Sequence, residues 1–379
     1  MSITLNGSHA LTDLEDPLWV KLPTGRYPIY VGYGLLEKPQ CFEATLKGKK
    51  VFILSHPEIA RIYLPSLEKT CYAAGATEVS HALVPSGDYH KTLETAANIW
   101  SALLAQGYHR DSVLITLGGG MINDLGGFCA ACYLRGIKVI HCPTTLLAQV
   151  DAAIGGKTGV NHVLGKNLIG AFHQPQTVVA DLSTLSTLPQ REFISGLAEL
   201  IKYGLTLDPP FFNWLESHII EIMQRQPDAL NHAVKQACQL KAAIVASDEK
   251  EEGQQRIVLN FGHTVAHALE SILDYKQCLH GEAVAIGMIV AIRLSMEHNT
   301  VDGQLLERVM SLLKTAGLPT TLPPGITPAE ILAKMKYDKK HGATKLNWVL
   351  LKALGQAFTT HATASHVIQA LTATRVGTP

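Results

Sequence analysis

The run Val113-Leu-Ile-Thr-Leu117, leading into Gly118-Gly119-Gly120 and a helical stretch, constrains this chain most. A short apolar run that stops at glycines fits a strand buried on both faces. Glycines let backbone approach a ligand, and a helix starting there offers free N–H groups and positive potential. The G-x-G-x-x-G fingerprint is absent, so a tight structural turn would read the same way. Neighbouring sequence repeats the theme. Strands are expected as a pair over residues 18 to 31, at Val51 to Leu54, at Val79 to Val84 and at Val139 to Cys142. Helices are expected at 58 to 74, 93 to 106 and Asn123 to Leu134. Strands alternating with helices imply a Rossmann-like α/β half, a parallel sheet covered on both faces. Asp124, Thr144 and Thr145 then fall near the carboxyl ends of strands, where a dinucleotide would lie.

After Asp181 the pattern becomes mainly α-helical. Pro189 can open a helix and Gly204 can close it. Helical periodicity follows at 211 to 224, 228 to 247, 260 to 273, 281 to 298, 303 to 316 and 328 to 336, and only NWVLLK resembles a late strand. A chain of 379 residues is long for one core, so two domains are expected, 1–182 and 183–379. Between the last expected strand and the helices, residues 151 to 170 read as a glycine-rich loop carrying Asp151, Lys157, Lys166 and Asn167. Its GGKTG fragment lacks the first glycine of G-x-x-x-x-G-K-[ST], which argues against a nucleotide triphosphatase. Lysines there are point-charge ligands for phosphate or carboxylate, or else surface lysines of a loop.

The helical half concentrates ionisable groups among apolar residues. Glu199 and Lys202 share a helix face in GLAELIKYGL, and His263 and His267 share one in LNFGHTVAHALE; His280 follows in LHGEAV. A carboxylate and three imidazoles with so little polar surface around them point to a metal site more than to solvated histidines. Arg135, Lys202, Lys241, Arg256, Lys336, Lys339 and Lys340 could converge on one anionic substrate. Lys+Arg equals Asp+Glu, 32 each, so no global field recruits nucleic acid or membrane. No apolar stretch reaches the roughly 20 residues of a membrane span, and the N-terminus has no secretory pattern. Seven scattered cysteines argue for a reducing compartment. Cys129-Ala-Ala-Cys132 stands alone and reads as two small helix residues before it reads as a zinc or redox motif.

Taken together, LGGGMINDLGGF, YLRGIKVIHCPTTLLAQVDAAIGGKTGVNHVLGKNLIGAF, SGLAELIKYGL, LNFGHTVAHALE, LHGEAVAIGM and MKYDKK make the chain resemble the 3-dehydroquinate synthase family of sugar phosphate cyclases. The resemblance implies a cytosolic homodimer that binds NAD and a divalent metal, zinc or cobalt. It implies conversion of 3-deoxy-arabino-heptulosonate 7-phosphate to 3-dehydroquinate and phosphate, in the shikimate pathway. By the same resemblance the metal ligands are Glu199, His263 and His280, and His267 becomes a phosphate-contacting and proton-transfer group. Cofactor contacts fall on Gly87, Asp88, Lys91, Gly119, Gly120, Asp124, Thr144, Thr145, Lys157, Lys166, Thr184 and Thr187. Substrate and catalytic positions fall on Asp151, Lys157, Asn167, Lys202, Lys241, Arg256, Asn260 and Lys339, with Arg135 reaching the neighbouring subunit's site. Three departures stand out: Asp88 where the family has Glu, His56 where it has Asp or Asn, and one extra residue at Gln254 or Gln255. The competing readings are another sugar phosphate cyclase, an iron-dependent polyol dehydrogenase that would release NADH, and a non-catalytic NAD-binding protein.

Overall fold

The computed structural model describes residues 15–253, 255–274, 277–337 and 347–375. The chain opens with β1 (Leu18–Leu22) and β2 (Gly25–Gly32), followed by α1 (Glu43–Leu46), β3 (Lys50–Ser55), α2 (Pro57–Ala73) and β4 (Glu78–Leu83). Next come α3 (Leu93–Ala105), β5 (Val113–Gly118), α4 (Gly120–Cys132) and β6 (Lys138–Pro143). The strands β7 (Lys157–His162) and β8 (Gly165–Phe172) form a separate antiparallel hairpin before β9 (Thr177–Asp181). The main sheet has the order β1-β2-β9-β6-β5-β3-β4. All its pairings are parallel except β1 with β2.

Alternation along β3 shows why helices cover both faces. Val51 and Ile53 pack with Leu64 and Leu67 of α2, while Phe52 and Leu54 pack with Ile99 of α3 and Leu125 and Phe128 of α4. β5 is buried at every position, as its apolar run requires. From β3 the chain adds β4 on one side and then returns to place β5 on the other. Strand order reverses there, so the ends of β3 and β5 flank a topological switch point, where α/β sheets bind ligands.

The helical half contains α5 (Gln190–Leu207), α6 (Pro209–Met223), α7 (Pro227–Ser247), α8 (His263–Ile272), α9 (His280–Glu297), α10 (Gly303–Thr315), α11 (Pro328–Tyr337) and α12 (Ala364–Thr372). A second small hairpin, β10 (Asn347–Ala353) with β11 (Gln356–His361), packs against it. Its core extends into the first half, taking in Val20, Tyr27, Ile29 and Val31 of the β1–β2 pair. At the centre lies α9, apolar and buried along most of its length. Two glycines let its neighbours approach. A Cβ on Gly281 would lie 1.8 Å from the Ser195 carbonyl oxygen of α5, and one on Gly287 would lie 1.9 Å from the carbonyl of Gly262, just before α8. No other residue fits at either position, and each contact fixes a histidine beside it, His280 or His263.

Three sequence expectations change. Residues 157 to 172 are a β-hairpin, not a loop: glycines 159 and 170 face each other across it so closely that a Cβ on Gly170 would meet the Thr158 carbonyl at 2.2 Å. Gly204 does not end α5, which runs on to Leu207, because Phe212 packs against the bare glycine. Helix α4 begins at Gly120, ahead of the expected Asn123. No described helix is long and apolar enough to cross a membrane.

Candidate active site

Glu199 faces inward from α5 with no exposed surface, beside His263 at the start of α8 and His280 at the start of α9. Its Oε1 lies 3.7 Å from Nε2 of each imidazole. One candidate ligand atom from each residue falls within 4.8 Å of the others. Donors about 2.0–2.1 Å from a tetrahedral zinc ion stand about 3.4 Å apart, so the spacing suits one cation. Glu199 pairs with Lys202, one turn on, yet neither carboxylate oxygen has a hydrogen bond of ordinary geometry. A buried carboxylate left this way is costly unless a cation completes it. His263 is already oriented for that role. Its Nδ1 lies 3.2 Å from the Phe261 carbonyl, leaving Nε2 toward Glu199. The three residues and their surroundings therefore fit a three-ligand divalent metal site.

The titration behaviour follows the same geometry. Burial would raise the Glu199 carboxyl, but the Lys202 ammonium and His280 outweigh it and hold the group at about 2. Burial, reinforced by Lys202, pushes His263 down to about 3, the neutral form that can ligate. Burial opposes a charge on His280 too, but Glu199 and Glu270 overcome it and lift the imidazole to about 10. Two carboxylates thus favour a positive charge at His280, from a proton or from a metal.

A second acid joins this cluster from the first half. Asp151 Oδ1 pairs with Lys241 and accepts a hydrogen bond from the Tyr203 hydroxyl at 2.9 Å. Burial opposes its ionisation, but Lys241 and Lys202 hold the carboxyl well below its ordinary range. Lys202 and Lys241 are themselves buried, so both are committed to this interior. Arg256, also buried, donates to the carbonyls of Glu249 (2.7 Å) and Gly155 (3.0 Å), at the turn before β7. Lys157 pairs with Glu251, whose other oxygen lies 3.5 Å from Nδ2 of Asn260. His267 stacks edge-on to His263 with ring centroids 5.6 Å apart.

The expected cofactor residues gather at the carboxyl ends of the sheet strands and on the hairpin. Gly119 caps α4 without any side-chain hydrogen bond, and a Cβ there would crowd Thr145 at 3.0 Å. Thr144, after β6, has a buried hydroxyl without a hydrogen-bond partner. Bare backbone, a helix start and an unsatisfied hydroxyl fit a bound pyrophosphate. Around them, Lys91 pairs with Asp124 and lies 2.5 Å from Oδ1 of Asn167, and Lys166 lies 2.6 Å from Asp88. Asn167, which the resemblance gives to the substrate, thus touches a lysine expected to meet the cofactor. Thr184 donates to the Asp181 carbonyl, while Thr187 donates to the Thr184 carbonyl and also meets the Tyr63 hydroxyl of α2 at 2.7 Å. Gly87 supplies a backbone φ of 108°, at the turn before Asp88. His56 turns its Nδ1 to the Val84 carbonyl at 2.7 Å, and burial pushes its pKa down. Arg135 is exposed on a short turn after α4 with φ 67°. Lys339 and Gln254 lie outside the described residues.

Sequence reasoning missed Glu270, Glu251 and Tyr203. Glu270 had a signal: it follows His263 by seven residues and His267 by three, so all three share one helix face. Glu251 was hidden in the charged run DEKEEG, whereas Tyr203 follows Glu199 by four residues and so shares its helix face.

Solved structures with this fold define the class. The chain superposes on 2-deoxy-scyllo-inosose synthase complexed with carbaglucose-6-phosphate, NAD+ and Co2+, with TM-score 0.86 at 24% identity, covering 94% of this chain and 99% of that one. It matches 2-epi-5-epi-valiolone synthase from Streptomyces hygroscopicus, solved with NAD+ and Zn2+, with TM-score 0.84 at 28% identity over 91% and 96%. The fold is that of the sugar phosphate cyclases. Within that class, family models described as 3-dehydroquinate synthase N-terminal and C-terminal match residues 81–195 and 196–341. A 3-dehydroquinate synthase of Haemophilus ducreyi is 47% identical over 353 residues, 93% of this chain and 97% of that protein. The chain belongs to the 3-dehydroquinate synthase family.

Proposed function

We propose that the protein is a 3-dehydroquinate synthase. It converts 3-deoxy-arabino-heptulosonate 7-phosphate to 3-dehydroquinate and phosphate, in the shikimate route to chorismate and the aromatic amino acids. The observation that carries this reading is the buried Glu199–His263–His280 cluster, set in a chain of that family. NAD+ and a divalent metal, zinc or cobalt, supply a reversible hydride acceptor and a Lewis acid. The chain's own residues hold and orient the substrate. Once Glu199 is committed to a cation, Lys202 is left to pair with a substrate anion. Lys241, Lys157, Arg256 and Asn260 supply further cationic and amide donors. Asp151 is kept ionised by its lysines and anchors them toward the substrate; His267, beside His263, can pass a proton on. Residues 1–182 carry most of the dinucleotide side, with Gly87, Asp88, Lys91, Gly119, Gly120, Asp124, Thr144, Thr145 and Lys166; residues 183–379 add Thr184 and Thr187, just past the boundary, and carry the metal.

The protein acts as a homodimer in this reading. Arg135 is exposed next to Leu134, itself 42% exposed, on the turn between α4 and β6. A monomer by sedimentation velocity at assay concentration would remove that part. The reaction itself is tested by phosphate release from the heptulosonate phosphate with substoichiometric NAD+, against sedoheptulose 7-phosphate and glucose 6-phosphate. Turnover on the first substrate alone, with no net rise in NADH absorbance, is expected. NADH rising in step with product would make the protein a dehydrogenase.

A further inference from the structure

A buried acid beside the metal cluster remains outside the chemistry described so far. Glu270, in the last turns of α8, is 4% exposed. Its Oε1 lies 3.5 Å from Nδ1 of His280 and 3.3 Å from Nζ of Lys166. The other nitrogen of that imidazole, Nε2, faces Glu199. Lys166 in turn reaches Asp88, on the loop before α3. A continuous run of charge contacts therefore joins His280, Glu270, Lys166 and Asp88, from the helical half to the dinucleotide side.

We propose that Glu270 is a positioning residue: its carboxylate orients His280 for the metal and ties that ligand to Lys166 beside the dinucleotide. The inference rests on the metal reading above. A histidine that directs its second nitrogen at a carboxylate keeps the first free for a cation and becomes a stronger donor. His263 has only the neutral Phe261 carbonyl in that place, so the two imidazoles are supported differently. Simple charge balance does not explain Glu270. Lys166 already has Asp88, and burying a further carboxylate is unfavourable unless its position does something else.

Zinc affinity of the full chain, by competition with a chromogenic chelator, tests the first half of the proposal. Glu270→Gln keeps the shape and removes the charge. It should weaken zinc binding about 10- to 100-fold and shift the visible absorption bands of the cobalt-substituted protein, a ligand-field change that a packing role would not cause. Asp88→Asn, which removes the other partner of Lys166, should leave zinc affinity unchanged. Unchanged zinc affinity and an unchanged cobalt spectrum in Glu270→Gln would overturn the proposal; an equal loss in Asp88→Asn would overturn the specific role of Glu270. The second half is read by NAD+ titration of the zinc-loaded protein, where Glu270→Gln should bind several-fold more weakly, and equal binding overturns the tie to Lys166. His263→Ala serves as the control for the parent reading: zinc bound as tightly as in wild type would sink the metal site itself, whatever Glu270 does.

Discussion

The metal cluster and the sheet-end cluster both gather paired charges, but they leave different groups open. In the first, Glu199, His263 and His280 come from three helices, and the Glu199 oxygens lack ordinary hydrogen bonds. In the second, Lys91, Asp124, Asn167, Lys166 and Asp88 satisfy one another across loops and a hairpin. What the second leaves open is backbone at Gly119 and Gly120, and the Thr144 hydroxyl. The metal site is thus a cage of side chains that close glycine contacts hold rigid. The proposed dinucleotide site is a backbone surface that paired side chains hold in place. Side-chain loss should be fatal in the first, while added side-chain bulk should do the damage in the second.

The largest effect tests the cage. Glu199→Gln, His263→Ala and His280→Ala should each lower kcat/KM by about a thousandfold or more, since three ligands leave no redundancy. Zinc stoichiometry measured after chelator treatment and resupply should fall well below one per chain, with the circular dichroism spectrum retained. Full zinc occupancy and normal turnover in His263→Ala would break the distinction between the two clusters.

The same difference governs what the sequence revealed. The helical cluster was legible because helix periodicity is written into residue spacing. Three or four residues apart means one face, which pairs Glu199 with Lys202 and His263 with His267. That His280 joins them depends on Gly281 and Gly287, whose role is a tertiary contact and shows in no local pattern. At the sheet ends the strand–glycine–helix pattern located the backbone, and the structure placed it there. The hairpin over residues 157 to 172 was not legible. Its glycines suggest a loop, and only the closeness of its two strands explains them. The contact of Asn167 with Lys91 was hidden for the same reason, because it depends on the hairpin turning the residue back.

A smaller effect tests the backbone surface. Gly119→Ala places a methyl group 3.0 Å from the Thr145 side chain, where the bound pyrophosphate would need the backbone bare. NAD+ affinity by calorimetry should fall about tenfold, roughly 1.4 kcal/mol, with zinc stoichiometry unchanged. Loss of zinc in this variant would show that the two sites are not built independently.

The smallest effect is silent at neutral pH and concerns the sheet beneath the dinucleotide surface. His141 on β6 is buried, with Nδ1 2.8 Å from the Thr116 hydroxyl on β5. That hydroxyl already accepts a hydrogen bond from Nδ2 of Asn123 at 2.8 Å, so its proton is available to Nδ1. The imidazole is then neutral with its proton on Nε2. Burial, helped by His173, pushes its pKa down to about 3. The unfolded chain regains an ordinary value near 6.5, so it takes up the proton first as pH falls. Stability from the neutral imidazole is intact above about pH 6.5 and is lost progressively between about 6.5 and 3, at up to about 1.4 kcal/mol per pH unit. His141→Gln keeps an acceptor for Thr116 and removes the titration. Urea unfolding at pH 7.5 should find little pH-linked difference between variant and wild type, whereas from pH 6 to pH 4.5 the wild type should lose stability more steeply. Parallel slopes over that range would mean that His141 is protonated in the folded sheet, and the hydrogen-bond assignment around Thr116 would have to be reversed.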